Sequence, residues 1–143
     1  QYIFDSRVII ELLNDVSGKL YPSDSNKKII LTNAALAEGL VDASLLYVYS
    51  MRYAGDQKPS EVWQKLQLTK IENTLDYLDK NVLNKFDPSI LFISHIGLIV
   101  ALDYLNFRKI YDWKTKTKNI DAWHEKVSDS LPGYKETYPK DPS

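Results

Sequence analysis

A long apolar stripe with helical spacing and no proline constrains the fold of this chain most strongly. It starts near residue 25 and ends at Gly55–Pro59. Its members recur every three or four residues: Ile30, Ala34, Ala37, Val41, Leu45 and Val48. A second stripe follows Ser60, with Val62, Leu66, Ile71, Leu75, Leu78 and Val82. Two long helices joined by a short turn are expected to pack antiparallel.

The first residues predict a strand followed by one helix. Tyr2–Phe4 is the only segment with strand character. Asp5 and Ser6 are good capping residues for the helix that follows, and Gly18 suits its left-handed end. Because the chain starts with Gln1 and a short strand, we expect it to begin inside a longer protein, although a processed terminus is the alternative.

The later part of the chain also predicts helices. Ile96–Leu105 is apolar on nearly every side, which is typical of a central core helix. Ile120–Ser130 predicts a last helix, and the tail after Pro132 is expected to lie irregularly on the surface. Since no strand-like alternation follows residue 4, the fold class is predicted to be all-α.

Composition excludes several classes of function. The net charge of -1 provides no basic surface for nucleic acid. No cysteine is present, so a disulfide, a thiolate metal site and a cysteine nucleophile are excluded within this stretch. The longest apolar run, Ile96–Leu102, is far shorter than the roughly 18 residues of a membrane-spanning helix. We therefore expect a soluble, cytoplasmic protein without membrane or nucleic-acid partners.

Four short patterns, taken in order, resemble the second half of a cytosolic, bacterial-type glutathione transferase. They are Asp5-Ser6-Arg7-Val8-Ile9, Leu20-Tyr21-Pro22, Glu38-Gly39-Leu40-Val41-Asp42, and Ile120-Asp121-Ala122-Trp123 ahead of Pro132. The resemblance implies that residues 1–17 are the last strand and helix of a thioredoxin-like domain. It implies a linker at 18–24 and the helical carboxy-terminal bundle of the family at 25–143.

The resemblance also implies a glutathione site. Asp5 and Ser6 match the acidic-Ser pair that holds the γ-glutamyl group, where a serine hydroxyl and a helix amino terminus can receive a carboxylate. Asp42 matches an aspartate that reaches the γ-glutamyl group of the partner subunit in several classes. Without the resemblance, Asp5 and Ser6 are ordinary helix caps, and Asp42 is an ordinary exposed acid.

Val48 and Arg52 match the wall of the site for a second, hydrophobic electrophile. The alternative for both residues is packing in the core or in an interface. Homodimerisation is expected through Leu31, Ala35 and Tyr49, which lie opposite the first core stripe.

The chain departs from the family at the start of the central helix. Many members carry a Ser/Thr-x-x-Asp capping box there, and the matching residues are Phe92 and His95. We expect either Ser89 or Ser94 to cap this helix instead, or the start of the helix to be altered. His95 lacks the neighbours of a catalytic triad and is expected to be structural, and His124 is expected to be a surface or packing residue.

The resemblance therefore implies part of an enzyme that adds glutathione to hydrophobic electrophiles. The residue that stabilises the glutathione thiolate belongs to the thioredoxin-like domain in this family. We expect no catalytic residue and no metal site in the 143 residues, and no activity of this stretch alone. The alternative is a non-catalytic helical interaction or dimerisation module.

Overall fold

A computed structural model describes residues 2–22, 26–83, 87 and 89–140. The chain forms seven α-helices within these residues, and one π-helical turn, Leu78–Val82, continues the third of them. The α-helices are α1 (Ser6–Ser17), α2 (Lys27–Arg52), α3 (Glu61–Tyr77), α4 (Ile93–Phe107), α5 (Trp113–Lys116), α6 (Lys118–Ser130) and α7 (Tyr134–Thr137). The prediction of an all-α fold is confirmed for the described part of the chain.

Helix α4 is the centre of the bundle. It packs against α2 and α6, and α2 also packs against α3. The largest fully buried apolar side chains come from α2 to α6 and the π-helical turn: Leu40, Ile71, Leu75, Leu78, Leu98, Ile99, Leu102, Leu105, Trp113, Ile120 and Val127. Burial of these side chains is the main source of stability, since each contributes about 1.5–3 kcal/mol.

The ends of α1 follow the sequence signals, whereas the strand before it does not form. Asp5 caps α1, and Gly18 ends it in the left-handed conformation with φ of 62°. Residues 2–4 have no regular structure, because a strand requires a paired neighbour and the described residues contain none. The predicted linker at 18–24 lies partly outside the described residues, as does residue 25, where the helical domain was expected to start.

The predicted apolar stripe of α3 is wrong in its first half. Ile71 and Leu75 are buried, but Val62 is 82% exposed and Leu66 is also exposed. The buried residue one turn before Ile71 is Gln67, a polar residue that an apolar pattern does not detect. The contact with α2 therefore covers a different side of the first two turns of α3 than the stripe predicted.

The serine cap predicted for α4 does not form. Phe92 occupies the N-cap position and makes no side-chain capping bond. Ser89 instead donates to the carboxylate of Asp87. One amide at this helix start is bonded through the backbone, because Ile93 N–H donates to the Leu20 carbonyl at 3.1 Å. The connection after α1 thus replaces part of the missing capping box.

Helix α2 has the length and composition of a membrane-spanning helix, with a mean hydropathy of 1.5 over an 18-residue window. Glu38 and Asp42 interrupt its apolar run, so the length of uninterrupted runs does not detect it. A helix in a soluble bundle can reach the same mean hydropathy when one of its apolar faces is left exposed. Since α2 packs against α3 and α4, we interpret it as a bundle helix. The cytoplasmic location of the protein stays a prediction.

Candidate functional site

The first turn of α1 presents a capped helix amino terminus to solvent. The Asp5 carboxylate accepts a hydrogen bond from Arg7 N–H at 3.0 Å, and Ser6 is the first helical residue. Both side chains are exposed. Free backbone N–H groups and the positive end of the helix dipole at such a terminus favour a carboxylate ligand. The structure therefore shows Asp5 as a cap, and it leaves one face of this turn open.

A bidentate ion pair connects this turn to the middle of α2. Arg7 Nε lies 3.2 Å and 2.9 Å from the two carboxylate oxygens of Glu38, and Nη2 lies 2.8 Å from Oε2. The hydrogen bond and the charge of Glu38 raise the pKa of the Arg7 guanidinium. A planar guanidinium that faces a carboxylate in this way fixes direction as well as distance.

The predicted glutathione residues lie around this ion pair. Asp42 is exposed one helical turn after Glu38, and Asp5 and Asp42 both act electrostatically on Arg7. The cluster of Asp5, Arg7, Glu38 and Asp42 thus contains three carboxylates and one guanidinium, a net charge of about −2 from the ordinary ionisation of these groups. Such a surface attracts a ligand ammonium group.

The structure separates Val48 and Arg52 from this cluster. Arg52 ends α2, about 15 Å along the helix axis from Asp42 at the ordinary helical rise. Val48 is 8% exposed and belongs largely to the core, whereas Arg52 is exposed. Beside them, Tyr49 and Tyr53 meet edge to face with their ring centroids 5.3 Å apart. The end of α2 therefore offers a cation next to aromatic surface.

A cavity of about 530 Å³ lies between α1, α2 and α4. Ser6, Arg7 and Glu38 line it, and apolar side chains including Leu31, Ile96 and Val100 make up most of the rest of its wall. A larger cavity of about 620 Å³ on another side of α2 is lined by none of the predicted site residues. We place the candidate site at the smaller cavity, because Ser6 and the Arg7–Glu38 ion pair line it.

Two polar pairs were missed by the sequence analysis. Arg7 and Glu38 were quoted as parts of separate patterns, and 31 residues separate them. His124 and Asp103 form a second pair, with Nε2 2.8 Å from Oδ1, and both are buried between α4 and α6. No spacing rule predicts either pair, since each joins two helices. The described residues contain no cluster of metal-ligating side chains.

Known structures provide a close match to this fold. A glutathione transferase family member from Pseudomonas fluorescens Pf-5, with bound glutathione, is 33% identical to the chain with a TM-score of 0.90. The match covers 98% of this chain and 69% of that one. Another structure from Pf-5, with bound S-(propanoic acid)-glutathione, is 32% identical with a TM-score of 0.89, and the match covers 100% and 75% of the two chains.

A glutathione S-transferase from Methylobacillus flagellatus KT, with glutathione bound, shares the fold as well. It is 28% identical with a TM-score of 0.80, and the match covers 96% of this chain and 70% of that one. No protein-family model matches the sequence, and no curated protein matches it either. The family of this chain is therefore assigned from the solved structures.

Proposed function

The chain belongs to the glutathione transferase family, and on that basis we propose that the intact protein binds glutathione and adds it to hydrophobic electrophiles. The observation that carries this proposal is the exposed first turn of α1 beside the acidic cluster. Ser6 and the amino terminus of α1 provide hydrogen-bond donors for the α-carboxylate of a γ-glutamyl group, and the carboxylates of Asp5 and Asp42 provide acceptors for its α-ammonium.

In this proposal Ser6 and the amino terminus of α1 receive the α-carboxylate of glutathione. Asp5 retains oxygen lone pairs beyond its bond to Arg7 N–H, and it accepts from the α-ammonium. Asp42 assists from the partner subunit. Solved relatives with bound glutathione support this assignment of the ligand.

The electrophile is proposed to lie near the end of α2. The Arg52 guanidinium provides a positive charge there, and Val48 contributes the edge of its side chain. The ligand bound to one Pf-5 structure, S-(propanoic acid)-glutathione, carries an additional carboxylate. An exposed arginine would favour an electrophile of that charge.

The reaction forms one carbon–sulfur bond. The glutathione thiolate attacks the electrophilic carbon, and a leaving group departs with its electron pair or, on an activated alkene, the resulting carbanion takes a proton from water. We propose that the group that stabilises the thiolate belongs to a thioredoxin-like domain that includes residues 1–17. In support, α1 leaves its apolar side chains Val8, Leu12, Leu13 and Val16 exposed, as a face that another unit covers.

The activity is tested on the protein expressed from its complete gene, with a chlorodinitrobenzene electrophile. We expect conjugation well above the uncatalysed rate. The 143-residue chain should show a strong helical circular dichroism signal and no conjugation. Replacing Ser6 with alanine should raise KM for glutathione about tenfold, because one hydrogen bond to a charged group contributes roughly 1.5 kcal/mol.

A complete protein without activity would indicate a different kind of function. If the complete protein is folded, yet neither conjugates nor binds glutathione, the non-catalytic interaction module replaces the enzyme. Activity of the 143-residue chain alone would contradict the assignment of the thiolate-stabilising group to another domain.

A further inference from the structure

Helix α1 is weakly packed against the rest of the described chain. None of the residues of Ser6–Ser17, all of which the structure describes, is buried. The close packing in the described residues joins α2 with α3 and α4, and it does not include α1. Lys27 and Glu11 approach each other to 3.9 Å, which is a loose contact between exposed groups. The position of α1 therefore depends on a few polar contacts.

The strongest of these contacts lies directly beside the candidate ligand residues. Arg7 is held twice: its backbone N–H donates to Asp5, and its guanidinium forms the bidentate pair with Glu38. Ser6 lies between Asp5 and Arg7 in the sequence, so these contacts also restrict its position. Because the Arg7–Glu38 pair is bidentate, it fixes the position of Ser6 along the axis of α2 as well as its distance from α2. Glu38 lies one turn before Asp42 on that helix.

We infer that Arg7 and Glu38 are positioning residues for the γ-glutamyl group of glutathione: their ion pair holds Asp5 and Ser6 at a fixed position against α2. The inference rests on the proposed glutathione site and names what assembles it. Arg7 acts through Ser6 and not as a ligand group, since its guanidinium is already paired with both carboxylate oxygens of Glu38. Small displacements of a binding group lower affinity steeply, so loss of the pair should be measurable.

The test uses the protein expressed from its complete gene, with the variants Arg7→Glu, Glu38→Arg and the double exchange of both. Each single change places like charges opposite each other and should raise KM for glutathione about tenfold with little change in kcat. It should also accelerate amide hydrogen exchange in residues 8–14, while exchange in α4 stays slow. The double exchange restores the pair with its charges reversed, so both readouts should return to within about threefold of the original values.

The control changes an exposed ion pair of similar length far from α1. Lys80 Nζ lies 2.9 Å from Asp76 Oδ2, and Lys80→Glu should alter neither KM for glutathione nor exchange in α1. This variant accounts for the general effect of reversing a surface charge.

Three results would overturn the inference. A single variant that loosens α1 and leaves KM for glutathione unchanged would show that the pair anchors the helix without positioning the ligand. Loss of affinity that the double exchange does not restore would show that Arg7 touches glutathione directly. If the unmodified protein binds no glutathione, the proposed function fails together with the inference, and the exchange data still report whether the pair anchors α1.

Discussion

Asp103 and His124 form a buried polar pair whose substitution should lower the free energy of unfolding. Each side chain is 7% exposed, and Asp103 lies in the middle of the central helix. Asp103 also accepts a hydrogen bond from Tyr134, and burial together with this bond raises the pKa of the Tyr134 hydroxyl. The rings of His124 and Trp113 pack with centroids 5.2 Å apart. One carboxylate thus links α4 to α6 and to the carboxy-terminal segment.

Asp103→Ala should lower the free energy of unfolding by about 3 kcal/mol, because it leaves the buried His124 and the half-buried Tyr134 without their acceptor. Urea denaturation followed by circular dichroism measures this change. Asp129 is exposed on α6, and Asp129→Ala should cost less than about 0.5 kcal/mol. Equal losses in the two variants would contradict the importance assigned to the buried pair.

His95 should make stability depend on pH in a mildly acidic range. Burial lowers the pKa of His95 in the folded protein. The unfolded chain therefore takes up a proton near the ordinary value of about 6.5 while the folded chain does not, so stability falls as the pH drops below that value. The slope from this group is at most about 1.4 kcal/mol per pH unit.

The measurement compares unfolding free energies of the original chain and of His95→Gln between about pH 7.5 and 5. The variant should lose part of the decline towards low pH, whatever its absolute stability. The pKa of Asp87 is lowered by its hydrogen bonds to Ser89, so Asp87 titrates below this window. Parallel pH profiles for the two proteins would show that His95 does not titrate as expected.

At the scale of elements, α6 depends on a cap that another helix provides. Thr117, its N-cap residue, donates its hydroxyl to the Trp113 carbonyl at 2.7 Å and makes no capping bond. Asp79 of the π-helical turn instead accepts from the backbone N–H groups of Asn119 and Ile120, both at 3.1 Å. The start of α6 is therefore fixed by tertiary structure.

Asp79→Ala should destabilise the chain by about 2 kcal/mol, the upper range for loss of a helix cap. Asp76 is the matched control, because it lies one turn earlier and pairs with Lys80 at the surface. Asp76→Ala should cost less than about 0.5 kcal/mol by thermal denaturation. A similar cost for both would indicate that Asp79 acts through its charge and not through the two amides.

The sequence predicted the ends of elements better than the contacts between them. Gly18 and Ser60 are local signals, and both mark the helix ends that the structure shows. The buried side of early α3 depends on how α2 packs against it, so Val62 was assigned wrongly to the core. The Asp79 cap could not be predicted for the same reason, since it joins residues 40 apart.

At the scale of the whole molecule, α2 leaves one apolar face open. Leu31, Ala35 and Tyr49 are exposed, as expected for a face opposite the core stripe. We propose that a second copy of the protein covers this face, so Tyr49→Glu should shift the complete protein from dimer towards monomer in analytical ultracentrifugation. Lys126→Glu on α6 is the control and should leave the assembly unchanged. A monomeric unmodified protein would rule out this interface.

The whole-chain assignment could be made from four short patterns, but the candidate site could be predicted only in part. The patterns predicted three site residues, Asp5, Ser6 and Asp42. In the structure these residues lie around Arg7. The Arg7–Glu38 pair depends on how α1 lies over α2, and local spacing carries no information about that angle. The burial of Val48 agrees with its place in the first apolar stripe, whereas its role at the electrophile site was predicted from the resemblance alone.

Helix α1 is attached by charge at its first turn and exposes its apolar face along its length. In the proposed assignment, the glutathione residues therefore lie at the boundary between two domains. A protein divided at that boundary would be supplied as two polypeptides, and the proposed conjugation activity would then report their association.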